Sequence, residues 1–218
     1  MCLCGILLWP IAILRAAPLD PAATRELLGK IAAERQRNPS LRSDFSEEKR
    51  GGILARPALA KGKIWFTAPD RFRREISQPG QESLIVSDGK VLWMVYPAFQ
   101  EAERYDLAKQ KFLNQALAAF TTGLAFHEVE RDFTVAAETT AQGHTLTLVP
   151  RRSAIARLVT KIELEFSQKL ELRRILTLAP KGEITRIDLQ NTVLEPHPAD
   201  TFQYVPPPGY TVSNPLGK

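Results

Sequence analysis

The chain has 218 residues, of which 44% are hydrophobic and 8% aromatic, a composition typical of one globular domain with a sizeable core. It carries 29 Lys and Arg against 24 Asp and Glu, for a net charge of +5, and its basic residues are scattered among acidic ones. The composition therefore excludes a disordered, collagenous or coiled-coil chain. We also expect no nucleic-acid partner, because a surface that binds nucleic acid normally carries a dense basic stripe. The mild positive charge suits acidic protein partners and anionic lipid head groups equally.

The N-terminal segment differs from the rest of the chain. Residues 3–14 form an apolar run of signal-peptide length, too short to span a bilayer, and small residues follow it. We predict a signal peptide over residues 1–17 and a single domain over residues 18–218, although no basic residue precedes the apolar run. The alternative is a buried N-terminal helix. Both cysteines, Cys2 and Cys4, lie in this segment, so the mature protein would have no disulfide, zinc cluster or thiol nucleophile.

The first predicted element is a helix that begins at Pro21, with Asp20 as its N-cap, and ends at Asn38. Apolar residues recur along it at helical spacing: Leu27, Leu28 and Ile31. From Leu41 onward, short segments with β-type alternation are separated by turn signals such as Asp88-Gly89. Strands joined by such short turns must be antiparallel.

A second helix is predicted over residues 108–123, where one face carries Phe112, Leu113, Ala116, Leu117 and Phe120. Strand patterns then resume near residues 126–137, 143–150, 158–167, 171–179 and 183–194, and the proline-rich tail 196–208 should be extended or looped. The strands do not alternate with helices, so a parallel sheet is disfavoured. A sheet of about ten or eleven strands must curl, because its twist accumulates. We expect a mainly β, α+β fold with both helices on the concave side of a strongly curved antiparallel sheet, around an interior either filled or partly open to a ligand.

Motifs for catalysis or metal binding are weak. The three histidines are His127, His144 and His197, and His127 lacks the second histidine that a metalloprotease helix would place four residues on. Ser87 does not lie in a Gly-x-Ser-x-Gly elbow, and the chain has no glycine-rich phosphate loop. We therefore predict that the protein is not an enzyme and that it uses no cofactor and no metal. A glycosidase-like pair of carboxylates is the alternative.

Several motifs occur together in one order along the chain. Residues Gly62–Arg73 read GKIWFTAPDRFR, Leu84–Lys90 read LIVSDGK, Leu92–Pro97 read LWMVYP and Phe202–Val212 read FQYVPPPGYTV, and Phe45 lies in SDFSE. In this order and spacing the chain resembles the LolA-type family of periplasmic outer-membrane lipoprotein carriers. The resemblance implies an incomplete β-barrel closed by two or three helices.

The resemblance also implies a function. A carrier of this type would collect an acylated lipoprotein from an inner-membrane extractor complex and pass it through the periplasm, as a monomer, to an outer-membrane acceptor. One alternative is a paralogue that carries another acylated lipid, such as a glycolipid or a polyene lipid. Another is a sensor or scaffold of the same fold that transports nothing and has a filled or very small cavity.

The predicted lipid-binding residues come from the strands and from the apolar face of the second predicted helix. They are Ile64, Phe66, Phe72, Arg74, Ile85, Trp93, Phe112, Leu117 and Phe120. Each apolar member has the alternative of belonging to a filled core. The chain departs from the family at Ala68, where the family commonly has an arginine that holds the helical lid. We hypothesise that Arg74 lies in the cavity, where it partly replaces that latch or binds an anionic group of the ligand, with a surface arginine as the alternative.

Overall fold

The computed structural model describes residues 17–78, 80, 82–110 and 129–215. Thirteen strands in these ranges form one sheet: β1 (Ala17–Pro18), β2 (Ser40–Arg50), β3 (Ala58–Thr67), β4 (Arg71–Ile76), β5 (Ser83–Ser87), β6 (Val91–Tyr96), β7 (Glu101–Asp106), β8 (Phe133–Thr140), β9 (Gly143–Pro150), β10 (Lys161–Ser167), β11 (Leu172–Leu178), β12 (Ile184–Val193) and β13 (Thr211–Ser213). The helices are α1 (Pro21–Arg37), α2 (Val129–Asp132) and α3 (Ser153–Ala156), with a 3₁₀ turn at Pro97–Phe99.

Helix α1 begins where its capping residues predict. The carboxylate of Asp20 accepts hydrogen bonds of 2.8 Å from the backbone N–H groups of Ala22 and Ala23, and Pro21 takes the first helical position. The residues of α1 that the fold buries lie on one stripe: Thr24, Leu27, Leu28, Ile31 and Arg35. The apolar part of this stripe packs on the sheet, and its last member is an arginine.

The sheet is open. Its strand order is β1-β8-β9-β10-β11-β12-β2-β3-β4-β5-β6-β7-β13, so the described strands do not close into a barrel. Neighbouring strands are antiparallel, as predicted, except that β13 pairs with β7 in parallel. The parallel pair arises because a long tail, and not a short turn, connects β12 to β13.

The predicted strands agree with the structure except around residues 126–137. There α2 occupies Val129–Asp132 and β8 begins only at Phe133. A single turn of helix fits the start of this segment, because Glu130, Arg131 and Asp132 interrupt the alternation that a strand would need. Of the second predicted helix, residues 111–123 lie outside the described residues.

The interior of the curved sheet is one apolar cluster. It joins α1 to the inward-facing side chains of β2–β4 and β8–β12, including Leu28, Phe45, Phe72, Leu148 and Leu164. A helix is about 10 to 12 Å wide, whereas eight flat strands span roughly 34 Å. The sheet therefore curls around α1, which matches the predicted concave packing of the first helix.

The other face of the sheet is covered near β4–β7 by the C-terminal tail. Tyr204 meets Trp93 edge to face at a ring-centroid distance of 5.6 Å, and the backbone carbonyl of Thr201 accepts a hydrogen bond of 3.1 Å from Arg73. Val86 and Ala102, which face this side, are buried. Both faces of this half of the sheet are therefore packed.

Candidate functional site

Five of the predicted lipid-binding residues meet on the inner face of the sheet. In the strand register, Ile64 of β3 lies opposite Arg74 of β4, and Arg74 lies opposite Ile85 of β5. In the next inward-facing row, Phe66 lies opposite Phe72. Side chains directly opposite one another across strands are in contact distance, so the five residues form a single patch, the inner patch.

Most of the inner patch is shielded from water. Ile64, Phe66 and Phe72 are each only 1% exposed, whereas Ile85 is half-buried between the main cluster and a smaller one around Leu92. In this conformation the three most buried side chains act as core. A ligand reaches them only if neighbouring elements move.

Of the remaining predicted residues, Trp93 does not join the inner patch. Trp93 lies opposite Val86 in the register and faces the C-terminal tail, because successive side chains of a strand point to opposite faces. Met94, its neighbour, is the residue of β6 that faces Ile85. Phe112, Leu117 and Phe120 lie outside the described residues.

Arg74 makes the inner patch unusual, because it is a buried charge. It is 8% exposed, and its Nη2 atom lies 3.0 Å from Oε2 of Glu47, which is equally buried. Its guanidinium also lies 4.7 Å from the centre of the Phe45 ring, a cation–π distance. The alternative of a surface arginine is therefore wrong.

The Arg74 side chain crosses β3 beside a glycine that the backbone of Glu75 requires. Arg74 starts on β4 and reaches Glu47 on β2, so it must cross β3, where the intervening inward-facing position is Gly62. A Cβ at Gly62 would collide with the carbonyl oxygen of Glu75 and lie 3.0 Å from the ring of Phe45. The glycine keeps that position free of a side chain.

The ion pair of Arg74 and Glu47 is incompletely hydrogen-bonded. Burial lowers the pKa of Arg74 from its usual 12.5, and the nearby charge of Glu47 opposes this shift. Neither Nε nor Nη2 of Arg74 has an aligned hydrogen-bond acceptor. Since Glu47 neutralises its charge, Arg74 in this conformation serves as one half of an ion pair rather than as a free cation.

Glu47 is the residue of this site that sequence reasoning missed. It follows Leu41, Ser43 and Phe45 at intervals of two along β2, and all four face inward. The alternation therefore contained the signal that Glu47 is buried. Only the register of three strands indicates that Arg74 is its partner.

Two of the three histidines lie in the described residues and are hydrogen-bonded. Nδ1 of His144 lies 2.9 Å from the hydroxyl of Thr139, and Nε2 of His197 lies 2.8 Å from the carbonyl oxygen of Leu41. Within the ranges that the structure describes, no three histidine, cysteine or carboxylate side chains are placed to share a metal ion. Nor does any helix in these ranges combine the length and apolar character needed to cross a membrane.

A cleft beside α1 adjoins the interior. It lies between α1 and α2, has a volume of about 400 Å³, and is lined by Arg25, Leu28, Gly29, Ala32, Val129 and Arg131 among others. Leu28 and Val129 also belong to the main apolar cluster. The floor of the cleft is therefore continuous with the interior of the sheet.

The sequence is similar to those of outer-membrane lipoprotein carriers. The family model described as "Outer membrane lipoprotein carrier protein LolA" matches residues 38–205. An outer-membrane lipoprotein carrier protein from Erwinia tasmaniensis is 23% identical over 197 residues, which are 88% of this chain and 90% of the relative.

Two solved structures match this chain at low sequence identity. An uncharacterised conserved protein from Thermus thermophilus superposes with a TM-score of 0.53 at 12% identity, covering 87% of this chain and 98% of the other. A LolA superfamily protein from Nitrosomonas europaea gives a TM-score of 0.46 at 14% identity, covering 83% and 97% of the two chains. The match of the family model to most of the sequence shows that this chain belongs to the LolA family of outer-membrane lipoprotein carrier proteins.

Proposed function

We propose that this chain is a non-enzymatic periplasmic carrier that holds the acyl chains of lipoproteins against the concave face of its sheet. The observation that carries the proposal is the apolar inner patch beside α1 in a chain of the LolA family. In this account residues 1–17 are a signal peptide and residues 18–218 are the mature carrier. The binding residues are Ile64, Phe66, Phe72 and Ile85 of the inner patch, together with the predicted helix face that carries Phe112, Leu117 and Phe120.

The hydrophobic effect explains why such a carrier is needed. Exposing an acyl chain of about sixteen carbons to water costs roughly 0.8 kcal/mol per methylene, or roughly 12 kcal/mol in all. Spontaneous crossing of an aqueous compartment is then negligibly slow. A carrier has to offset most of this free energy and still release the acyl chain. Apolar side chains that can repack meet both requirements better than a rigid, preformed pocket does.

The buried state of the inner patch requires that loading be coupled to opening. Ile64, Phe66 and Phe72 are covered in this conformation, so an acyl chain must displace the side chains that cover them. The cleft between α1 and α2 is where we place entry, because its floor includes Leu28 and Val129 of the same apolar cluster. Movement of α1 away from α2 would extend the cleft into the interior.

The family supplies the expected partners. An inner-membrane extractor complex would load the carrier, and an outer-membrane acceptor would unload it, with the carrier acting as a monomer. Its mild positive charge is compatible with acidic surfaces on both.

Two neighbouring residues of β5 give a matched test of binding. Ile85 faces the inner patch and Leu84 faces the other side, and both are half-buried. We expect the Ile85→Gln variant to bind a synthetic triacylated lipopeptide at least tenfold more weakly than wild type, as measured by competition with a fluorescent fatty acid. Leu84→Gln should bind as wild type does. Equal affinities in both variants would contradict the assignment of the inner patch to acyl chains.

A second candidate function follows from the burial of Ile64, Phe66 and Phe72. A sensor or scaffold of this fold would keep its interior filled and bind a protein signal on its surface. If this chain is a sensor or scaffold, the folded wild-type protein will not take up the triacylated lipopeptide. The same binding experiment therefore separates the two functions.

A further inference from the structure

Arg35 is a buried guanidinium with no counter-ion in the part of the chain that the structure describes. It occupies the last position of the buried stripe of α1, where Leu27, Leu28 and Ile31 precede it, and it is only 7% exposed. Its Nε atom is buried without any hydrogen-bond partner, and no ion pair involves Arg35 within the described ranges. Burial lowers the pKa of Arg35, because the buried guanidinium has lost hydration.

The neighbouring carboxylate, Glu34, forms no ion pair with Arg35 in the described structure. Glu34 acts on Arg35 only through its electrostatic field, while its oxygens accept hydrogen bonds of 2.8 Å from Arg37 and 2.7 Å from the side chain of Asn38. A buried charge without a partner is destabilising, and an apolar residue would continue the stripe at lower cost. The fold therefore keeps a desolvated cation at a position that packing alone would give to a leucine or methionine.

A cavity of about 350 Å³ lies against this cation. Arg35 forms part of its wall, together with Lys169 and Arg173 from the turn between β10 and β11 and the start of β11. Leu172 and Leu189, both buried members of the main apolar cluster, also line it. The cavity therefore combines three basic side chains with an apolar surface that continues into the interior of the sheet.

The charge balance of the cavity is positive. Glu171 is the other carboxylate in its wall, and its Oε2 atom lies 3.9 Å from Nη2 of Arg173, while Glu34 is held by Arg37. Lys169 and Arg35 are left without ion-pair partners among the residues that the structure describes. An anion in the cavity would gain the electrostatic field of Arg35, Lys169 and Arg173, which line its wall.

We infer that this cavity is a binding site for a phosphate group, with Arg35 as its central ligand and Lys169 and Arg173 as flanking cations. The planar guanidinium offers paired N–H donors that match phosphate oxygens. The leucines beside it would contact hydrocarbon attached to the phosphate, so a phosphate-bearing lipid head group suits the lining better than free phosphate. The site lies at the C-terminal end of α1, away from the inner patch on β3–β5, and needs no acyl chain in that patch.

The test compares three soluble probes on the full mature chain. Dihexanoylphosphatidic acid carries short acyl chains and a phosphate, dihexanoylglycerol carries the same chains without the phosphate, and inorganic phosphate carries no chains. We expect dihexanoylphosphatidic acid to shift the Arg35 Nε–Hε signal in ¹H–¹⁵N NMR spectra, with at least tenfold tighter binding than dihexanoylglycerol. Phosphate binding as tight as that of the lipid would assign the site to free phosphate instead of a head group.

Two variants on the same helix complete the test. Arg35→Met should abolish the preference for the phosphate probes and should raise the urea midpoint, because it replaces an unpaired buried charge by an apolar side chain. Lys30→Gln changes an exposed cation of the same helix that does not line the cavity and should leave phosphate binding as in wild type. The inference is overturned if Arg35→Met retains wild-type affinity for dihexanoylphosphatidic acid, or if neither phosphate probe binds the wild-type chain at millimolar concentration.

Discussion

The buried ion pair between Arg74 and Glu47 distinguishes this interior from a wholly apolar one. Breaking such a pair leaves one charge buried without compensation, whereas replacing both partners by apolar residues removes the desolvation cost as well. We expect Glu47→Gln to lower the free energy of unfolding by about 3–5 kcal/mol in urea denaturation. The double variant Glu47→Met with Arg74→Met should lose less free energy of unfolding than Glu47→Gln does.

The exposed ion pair between Glu26 and Lys30 provides the control for that comparison. Its two side chains are largely solvated, so Glu26→Gln should leave the urea midpoint almost unchanged. If Glu47→Gln behaved like Glu26→Gln, the interior pair would contribute nothing to the fold and Arg74 would need another partner.

A second residue-level prediction concerns pH. Burial lowers the pKa of His144 below its usual 6.5, so the unfolded chain takes up a proton at this residue before the folded chain does. The stability linked to His144 is therefore complete above about pH 6.5 and is lost as the pH falls toward the lower folded pKa. Urea midpoints measured from pH 5 to 8 should fall less steeply in His144→Gln than in wild type. Parallel curves for the two proteins would contradict the prediction.

At the scale of elements, the N-terminus of α1 depends on one side chain. Asp20 satisfies two backbone N–H groups of the first turn, and no residue of the helix can replace it. Asp20→Ala should lower the free energy of unfolding by about 0.5–2 kcal/mol, and Asp20→Asn should retain most of the stability. A loss as large in Asp20→Asn as in Asp20→Ala would mean that the cap hydrogen bonds contribute little.

The C-terminal tail is the second element with a clear consequence. Tyr204 packs on Trp93 at the outer face of β6, and an edge-to-face ring pair contributes about 0.5–1.5 kcal/mol beyond the area that it buries. We expect Tyr204→Ala to lower the unfolding free energy by at least this amount and to shift the emission of Trp93 to longer wavelength. A Trp93→Phe variant identifies the emission of Trp93, and an unchanged spectrum in Tyr204→Ala would show that the tail does not cover it.

At the scale of the whole molecule, pattern and turn chemistry predicted much of the fold. The start of α1 at Asp20-Pro21 and the hairpin at Asp88-Gly89 were readable because their signals are local: Gly89 has a φ of +89°, and Asp88 caps the turn with two hydrogen bonds of 2.8 Å. The curved sheet followed from the number of antiparallel strands. Short segments such as Val129–Asp132 were harder, because four residues carry too little periodicity to distinguish helix from strand.

The candidate site was predictable only in part, because alternation assigns residues to two faces without saying what covers each face. The sequence predicts Trp93 as a cavity residue because β6 is apolar on both faces. The tail that covers Trp93 comes from more than a hundred residues further along the chain. The pairing of Arg74 with Glu47 depends on the register of β2, β3 and β4. Long-range register of this kind cannot be derived from one sequence.

Acyl-chain binding by this LolA family member can be tested by native mass spectrometry of the protein purified from the cells that produce it naturally. We expect a triacylated lipoprotein to co-purify with the protein and to dissociate when lipid is extracted. A discrete glycolipid or polyene lipid in its place would assign the chain to a paralogue with other cargo. Ligand-free protein that also fails to take up the triacylated lipopeptide while folded would contradict the claim.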